Sequence, residues 1–391
     1  MPRIKPHQIV LAVGVGFGLF TAASGVVPSI VEWHDDSEVS REVFGNVPTP
    51  LKVVLYATLA VGFALVGWLS SMRVRNWERG RPDNRRTTPR NAKRRAEHYR
   101  AGTWMATLLR DPVAGVMHSF IYFGFLVLFV VTVVLEINHQ VPESLKFLHG
   151  DVYRGYALVG DVFGVVFLTG IVWAIVRRYV QRPYRIRIKT KPEDALILGT
   201  FLTIGVTGFV VEALRIALVG RPEFEKFAVV GWALAGVVDG WAHGTLQDLH
   251  RWLWGVHFAG FVLFLVILPT TKLRHMFTSP MNMYLRDKER PKGAMKPMPN
   301  LMETELESFG ASVIEDFTWK QLMDTDACTI CGRCTSVCPA HATGKPLDPR
   351  EIVTKIGQVM SESRPAGAVS SVVGHEPELT VSTPCPSNSS R

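Results

Sequence analysis

Apolar residues gather into six long runs, at roughly 9–31, 50–71, 113–136, 155–177, 195–218 and 251–274, separated by short polar stretches. Each run reaches the ~20 residues that a helix needs to cross a ~30 Å hydrocarbon core. Lipid offers no partner for a backbone N–H or C=O, so a spanning run must satisfy its own hydrogen bonds as a helix. No extended period-2 alternation competes before residue 290. The pattern predicts an all-α transmembrane bundle of about six helices. The first run passes the small residues Ala22, Ala23 and Ser24, which would suit a signal peptidase, and continues to Val31. That is longer than a signal-peptide core, so an uncleaved anchor is expected.

Charge changes the picture next. The 391 residues carry a formal net charge of +9. A basic balance can indicate nucleic-acid binding, but here the positive residues crowd into alternate loops. Arg73, Arg75, Arg79 and Arg81 to Arg95 follow the second run, Arg177 to Lys191 the fourth, and Lys272 to Arg290 the sixth. Glu32, Asp35, Asp36, Glu38 and Glu42 follow the first. The positive-inside rule then gives a multi-pass protein of the cell membrane with both termini cytoplasmic, and an even number of spans agrees. Lipid is the expected partner, and no nucleic acid.

Four of the five cysteines lie within eleven residues: Cys328, Cys331, Cys334 and Cys338, with Cys385 apart. Clustering of this kind points to metal ligation in a reducing compartment and not to a disulfide framework. The run Cys-Thr-Ile-Cys-Gly-Arg-Cys-Thr-Ser-Val-Cys-Pro has the C-x2-C-x2-C-x3-C-P spacing of bacterial [4Fe–4S] ferredoxins. Zinc knuckles usually separate two C-x2-C pairs by a longer loop. A small α+β ferredoxin-like segment with a 4Fe–4S cluster is therefore expected. The fourth ligand is left open between Cys338 and Cys385. A second cysteine run is expected to have been lost by truncation.

Ionisable residues inside spans are functional candidates by default. His118 lies near the start of the third run, His257 near the start of the sixth, and His275 just past its end. Along a straight helix the last two would stand ~27 Å apart, too far to serve one haem. The topology puts His118 and His275 on the cytoplasmic side, where they are expected to ligate a b-type haem together. A second haem would pair His257 with His139 near the outer side, with His250 and His149 as rivals. Asp161 and Glu212, with Arg215 close by, form a candidate quinone or proton-exchange site; snorkelling and mutual pairing are the simpler reading.

These residues carry a resemblance. Gly115-Val116-Met117-His118, Trp254-Gly255-Val256-His257 and Leu268-Pro269-Thr270-Thr271-Lys272-Leu273-Arg274-His275-Met276 resemble the gamma subunit of respiratory nitrate reductase and the cytochrome b subunit of heterodisulfide reductase. Ile314 to Lys320, the cysteine run and Ala342 to Leu347 resemble the ferredoxin segment of membrane-bound, heterodisulfide-reductase-like iron–sulfur reductases. Some of these are similar to electron-transfer-flavoprotein:menaquinone oxidoreductases. The family carries a second histidine ten residues after the first on its third helix; here that position is Leu128. The fused reductases also continue into a second ferredoxin run and catalytic domains.

The expected organisation is an anchor and external loop over 1–49, a cytochrome b membrane domain over 50–280, a linker over 281–313, the 4Fe–4S segment over 314–360, and a tail without helical period over 361–391. The expected function is quinone-linked electron transfer, an oxidoreductase activity. A cytoplasmic donor, which the resemblance suggests to be an electron-transfer flavoprotein, would exchange electrons with menaquinone through the cluster and one or two b haems. The alternatives are a membrane anchor and electron conduit for a separate catalytic subunit, and a transporter with a cysteine redox sensor.

Overall fold

Proline and side-chain caps set where the long helices begin. The computed structural model describes residues 4–30, 37–83, 88–183, 190–287, 300–305 and 310–363. Six helices among them are long and apolar enough to cross a membrane. They are α1 (Pro6–Ile30), α2 (Thr49–Trp77), α4 (Pro112–Gln140), α5 (Gly150–Ile175, prolonged by a wider turn to Gln181), α6 (Pro192–Leu218) and α8 (His243–Thr270). Proline at the first helical positions of α2, α4 and α6 loses nothing, because its missing N–H would have no intrahelical partner there. At α4 the Asp111 carboxylate also accepts from the Ala114 N–H, at 3.3 Å.

The helices alternate in direction. Phe167 of α5, Phe201 of α6, Phe264 and Leu268 of α8 and the neighbouring Leu273 form the bundle's core, with Phe125 of α4 and Leu128 packed against it. Phe125, Phe201 and Phe264 form a triangle with ring centres 5.6–6.0 Å apart. Outward-facing apolar residues such as Phe20, 67% exposed, present the surface that lipid would cover. The first helix is part of this bundle. A Cβ on Gly14 would lie 2.3 Å from the Gly67 Cα, and one on Gly18 2.5 Å from the Ala60 carbonyl oxygen. Glycines four residues apart let the α1 and α2 backbones approach, as at other membrane interfaces.

The sixth spanning helix departs from the expected bounds at both ends. It starts at His243 and not at 251, so His250 is buried within it and His257 lies near its middle. It stops at Thr270 and not at 274. Pro269 has no N–H to donate, and the Thr271 hydroxyl donates to the Ile267 carbonyl (2.7 Å) while accepting from the Leu273 N–H (3.3 Å). The chain then turns through Lys272–Arg274 and begins a new helix, α9 (His275–Leu285). The straight-helix spacing of His257 and His275 therefore does not hold, although they remain on separate elements.

Three shorter helices lie where the hydrophobic pattern suggested only connections. The basic stretch after α2 folds into α3 (Pro89–Thr103), capped by Thr88, whose hydroxyl accepts from the Asn91 N–H at 3.1 Å. It packs on α9. At the other end of the bundle α7 (Val229–Val237) folds back against α5 and α6. Some of the sequence expectations rest on residues outside the described ones: Cys385 and the rest of 364–391, the acidic Glu32, Asp35 and Asp36, and the basic Arg85, Arg86, Arg185, Arg187 and Lys189.

The regular structure of the cysteine segment is four helices joined by loops: α10 (Trp319–Asp326), α11 (Arg333–Ser336), α12 (Pro339–Ala342) and α13 (Pro349–Glu362). No strand accompanies it among the described residues, where an α+β unit was expected. Its single β-bridge is intersegmental, joining Arg81 to Thr318. The segment is too small to bury a core alone, and it borrows one. Ile314, Leu322, Met323, Val359 and Met360 close around Trp77 at the end of α2.

Candidate functional site

His118 occupies the second turn of α4, and His275 is the first residue of α9. The turn at Thr271 swings His275 towards α4, and the two ring centres stand 6.3 Å apart. Two metal–imidazole bonds of about 2 Å, plus about 1 Å from each ligating nitrogen to its ring centre, add to about 6 Å. The spacing therefore suits one metal held between the two rings. The His275 Nδ1 lies 2.6 Å from the Lys272 carbonyl oxygen, which can only accept, so Nδ1 carries the proton and Nε2 keeps a free lone pair. A second hydrogen bond of this kind fixes tautomer and orientation in metal-ligating histidines. Burial lowers the His275 pKa and keeps the imidazole neutral. The His118 Nδ1 is buried without a hydrogen-bond partner. A haem iron fits this donor set.

The Lys272 carbonyl is itself held in place. The Lys272 ammonium pairs with Asp194, whose carboxylate also accepts from Arg178 at 2.8 Å and from the Lys191 N–H at 2.8 Å. Asp194 is only 2% exposed. The ends of α5, α6 and α8 thus converge on one carboxylate beneath His275.

The remaining candidate histidines are not joined in this way. The Thr207 hydroxyl donates to the Thr203 carbonyl, so its oxygen accepts from the His257 Nδ1–H at 3.0 Å, and His257 too presents a free Nε2. His139 instead meets the Phe44 ring edge-on at 5.2 Å, and among the described residues no ring contact joins it to His257. The Asn46 amide donates to the His250 Nδ1 at 3.2 Å. His149 precedes α5 in extended conformation and bridges to Ser40. Leu128, ten residues after His118, is packed against the apolar core. The pairing of His139 with His257 is an expectation that the geometry does not bring together.

Asp161 on α5 is 3% exposed. One of its oxygens accepts the Val230 N–H at the start of α7; the other is buried without a partner. Glu212 on α6 is its neighbour and lies against Gly231, where a Cβ would come within 2.9 Å of the Glu212 Cγ. Beside them Arg215 pairs with Glu225, which also accepts from the Tyr153 hydroxyl at 3.0 Å. Sequence reasoning missed Glu225 and Tyr153. Glu225 lies between apolar runs, and nothing in the local pattern marks it as buried.

All four described cysteines are free thiols. Burial pushes the Cys328 thiol up, and the nearby Cys331 and Cys334 add to this. Ile330 and Gly332 between them have φ of 59° and 74°. A left-handed β-branched residue is uncommon, and here it keeps the C-x2-C loop turning. Asp348 caps α13 and accepts from the Thr335 hydroxyl, tying the end of the cysteine loop to the next helix. Among the described residues no three His, Cys, Asp or Glu side chains converge on one ion-sized site. The donor set and its spacing suit a cluster, which is larger than a single ion.

The comparisons with known proteins follow the same residues. Residues 101–290 match the nitrate reductase gamma subunit family. The EtfAB:quinone oxidoreductase of Syntrophomonas wolfei is 33% identical over 318 residues, covering 79% of this chain and 43% of that protein. The probable iron-sulfur-binding oxidoreductase FadF of Bacillus subtilis is 28% identical over 258 residues, 65% of this chain and 35% of its own. A subunit of the dihydromethanophenazine:CoB–CoM heterodisulfide reductase of Methanosarcina barkeri is 25% identical over 111 residues, 28% of this chain and 41% of its own. The chain spans less than half the length of each of these relatives. No solved structure matches it significantly. Residues 101–290 are thus a nitrate reductase gamma subunit domain, in a chain similar over most of its length to part of a quinone oxidoreductase and part of an iron–sulfur-binding oxidoreductase.

Proposed function

We propose that the protein transfers electrons between a cytoplasmic donor and the menaquinone pool, through a 4Fe–4S cluster and a b-type haem. The observation that carries this reading is the meeting of His118 and His275, 6.3 Å between ring centres, at the end of the bundle where the cysteine segment docks. Cys328, Cys331, Cys334 and Cys338 would hold the cluster, and His118 and His275 the haem. These groups supply one-electron carriers whose potentials the protein tunes through ligands and burial. The chain's own residues do the rest. Lys272 and Asp194 orient the His275 ring, the apolar core keeps water from it, and the basic segments hold this end in the cytoplasm. The donor is proposed to be an electron-transfer flavoprotein, after the name of the Syntrophomonas relative. Asp161, whose carboxylate accepts from the Val230 N–H, and Glu212 beside it would exchange protons with quinone at the outer side. His257 is the candidate ligand of a second haem, with His139, His250 and His149 as candidate partners.

The test is a dithionite-reduced minus oxidised absorbance spectrum of purified protein and of three variants. His118→Ala and His275→Ala should each remove the same share of b-type absorbance, and the double variant no more. Additive losses would assign the two residues to different sites, and unchanged spectra would end the haem reading. A second reading, an electron-conduit component of a larger reductase, draws on the similarity to a heterodisulfide reductase subunit. Copurification of a large soluble partner that alone accepts the donor would favour it.

A further inference from the structure

The cysteine loop is fastened to the membrane domain at two places, and each lies next to an element that carries a proposed haem ligand. Two residues before Cys328 stands Asp326, 2% exposed. Its Oδ2 accepts from the Trp77 indole N–H at 2.8 Å, and its Oδ1 lies 2.8 Å from the Arg274 Nε and 3.7 Å from an Arg73 nitrogen. Arg274 directly precedes His275. The backbone carbonyl of Asp326 accepts the Thr278 hydroxyl of α9 at 3.0 Å, and the Asn282 amide donates to Asp324 at 2.7 Å. On the other side of the loop, Arg333 directly precedes Cys334. Its guanidinium donates to the carbonyl oxygens of Thr107 and Leu108, at 3.2 and 3.1 Å. Those residues lead into α4, which carries His118.

A surface-docked arm would not need such contacts. Exposed ion pairs contribute little, whereas a nearly buried carboxylate is tolerated only when its partners are in place. A buried acid, an indole N–H and three arginines fix the positions of residues 326–334 relative to His275 and α4.

We propose that Asp326 and Arg333 form a two-point latch that sets the distance between the cysteine-bound cluster and the haem ligated by His118 and His275. Both are positioning residues for one-electron transfer between the two carriers. With both groups bound, one electron would pass from the group held by the cysteines to the group held by His118 and His275, with no bond made or broken and no proton moved. The inference rests on the proposed function and adds residues that the cysteine and histidine motifs do not contain.

The test uses the full chain in detergent and follows haem reduction by a photoreduced deazaflavin, a one-electron donor. The rate component that disappears in Cys331→Ser is the part fed through the cluster. In Asp326→Asn and Arg333→Gln this component should slow at least severalfold, because the rate of electron tunnelling falls exponentially with the separation of the two carriers. Iron, labile sulfide and the haem spectrum should stay at the parent level. Asp326→Glu should recover part of the rate. The haem midpoint potential should rise in Asp326→Asn, which removes a buried negative charge beside Arg274, and should stay put in Arg333→Gln. Should Asp326→Asn lose a cofactor, Trp77→Phe removes one hydrogen bond, keeps the carboxylate, and carries the same kinetic expectation. An unchanged cluster-fed component in both latch variants, with both cofactors retained, overturns the proposal. Parent protein that lacks haem or sulfide would instead overturn the proposed function.

Discussion

His118 and His275 are 157 positions apart in sequence, and a single threonine does much to bring them together. The Thr271 hydroxyl both donates and accepts at the point where Pro269 has weakened the helix. Thr271→Val keeps the volume and removes both hydrogen bonds. Leaving the buried groups unpaired should cost about 1–3 kcal/mol, read as a lower thermal midpoint. Haem content should fall further than labile sulfide, because His275 follows that turn directly whereas the cysteine loop is also held by Trp77 and Arg333. Cys331→Ser should do the reverse, abolishing labile sulfide and leaving the b-type spectrum intact; zinc without sulfide in the parent would end the cluster reading. Cys331 and His118 stand out as candidate ligands by residue type and spacing alone. The importance of Asp326 was not, because an aspartate before a cysteine run reads as a solvated loop residue until Trp77 and Arg274 are seen on it.

Among the helices, the hydrophobic period located all six spans, since a run of ~20 apolar residues has few stable states other than a membrane helix. It did not locate the ends of α8 or the helices α3, α7 and α9. Those depend on caps, on Pro269 and on neighbours that are distant in sequence. The pairing of α1 with α2 yields a test with an internal control. A Cβ at Gly67 would come 2.5 Å from the Gly14 Cα, whereas one at Gly16 meets nothing within 4 Å. Gly67→Ala should destabilise the bundle by about 1–3 kcal/mol, as overpacking does. Gly16→Ala should leave the thermal midpoint in place. Equal effects would mean that α1 does not cross α2 at these glycines.

For the whole molecule, the alternation of charge implies an orientation with both termini in the cytoplasm. A reporter joined after Arg182 should behave as cytoplasmic, and one joined near Asp36 as external. The reverse pattern would place His118, His275 and the cysteine loop on the outer side and remove the proposed route from a cytoplasmic donor. Hydropathy, charge sign and cysteine spacing are local properties; from hydropathy the sequence by itself determined six membrane-length helices, and from the other two it set expectations for their orientation and for metal ligation at residues 328–338. Tertiary structure alone supplied the turn at Thr271 that brings His275 to 6.3 Å from His118, gave His139 and His257 separate contacts, and lent Trp77 to the core of the cysteine segment. The physical reason is that helix formation in lipid is fixed by the segment's own backbone and side chains. Which faces then meet depends on small residues, buried charges and helix breaks contributed by segments far apart in the chain.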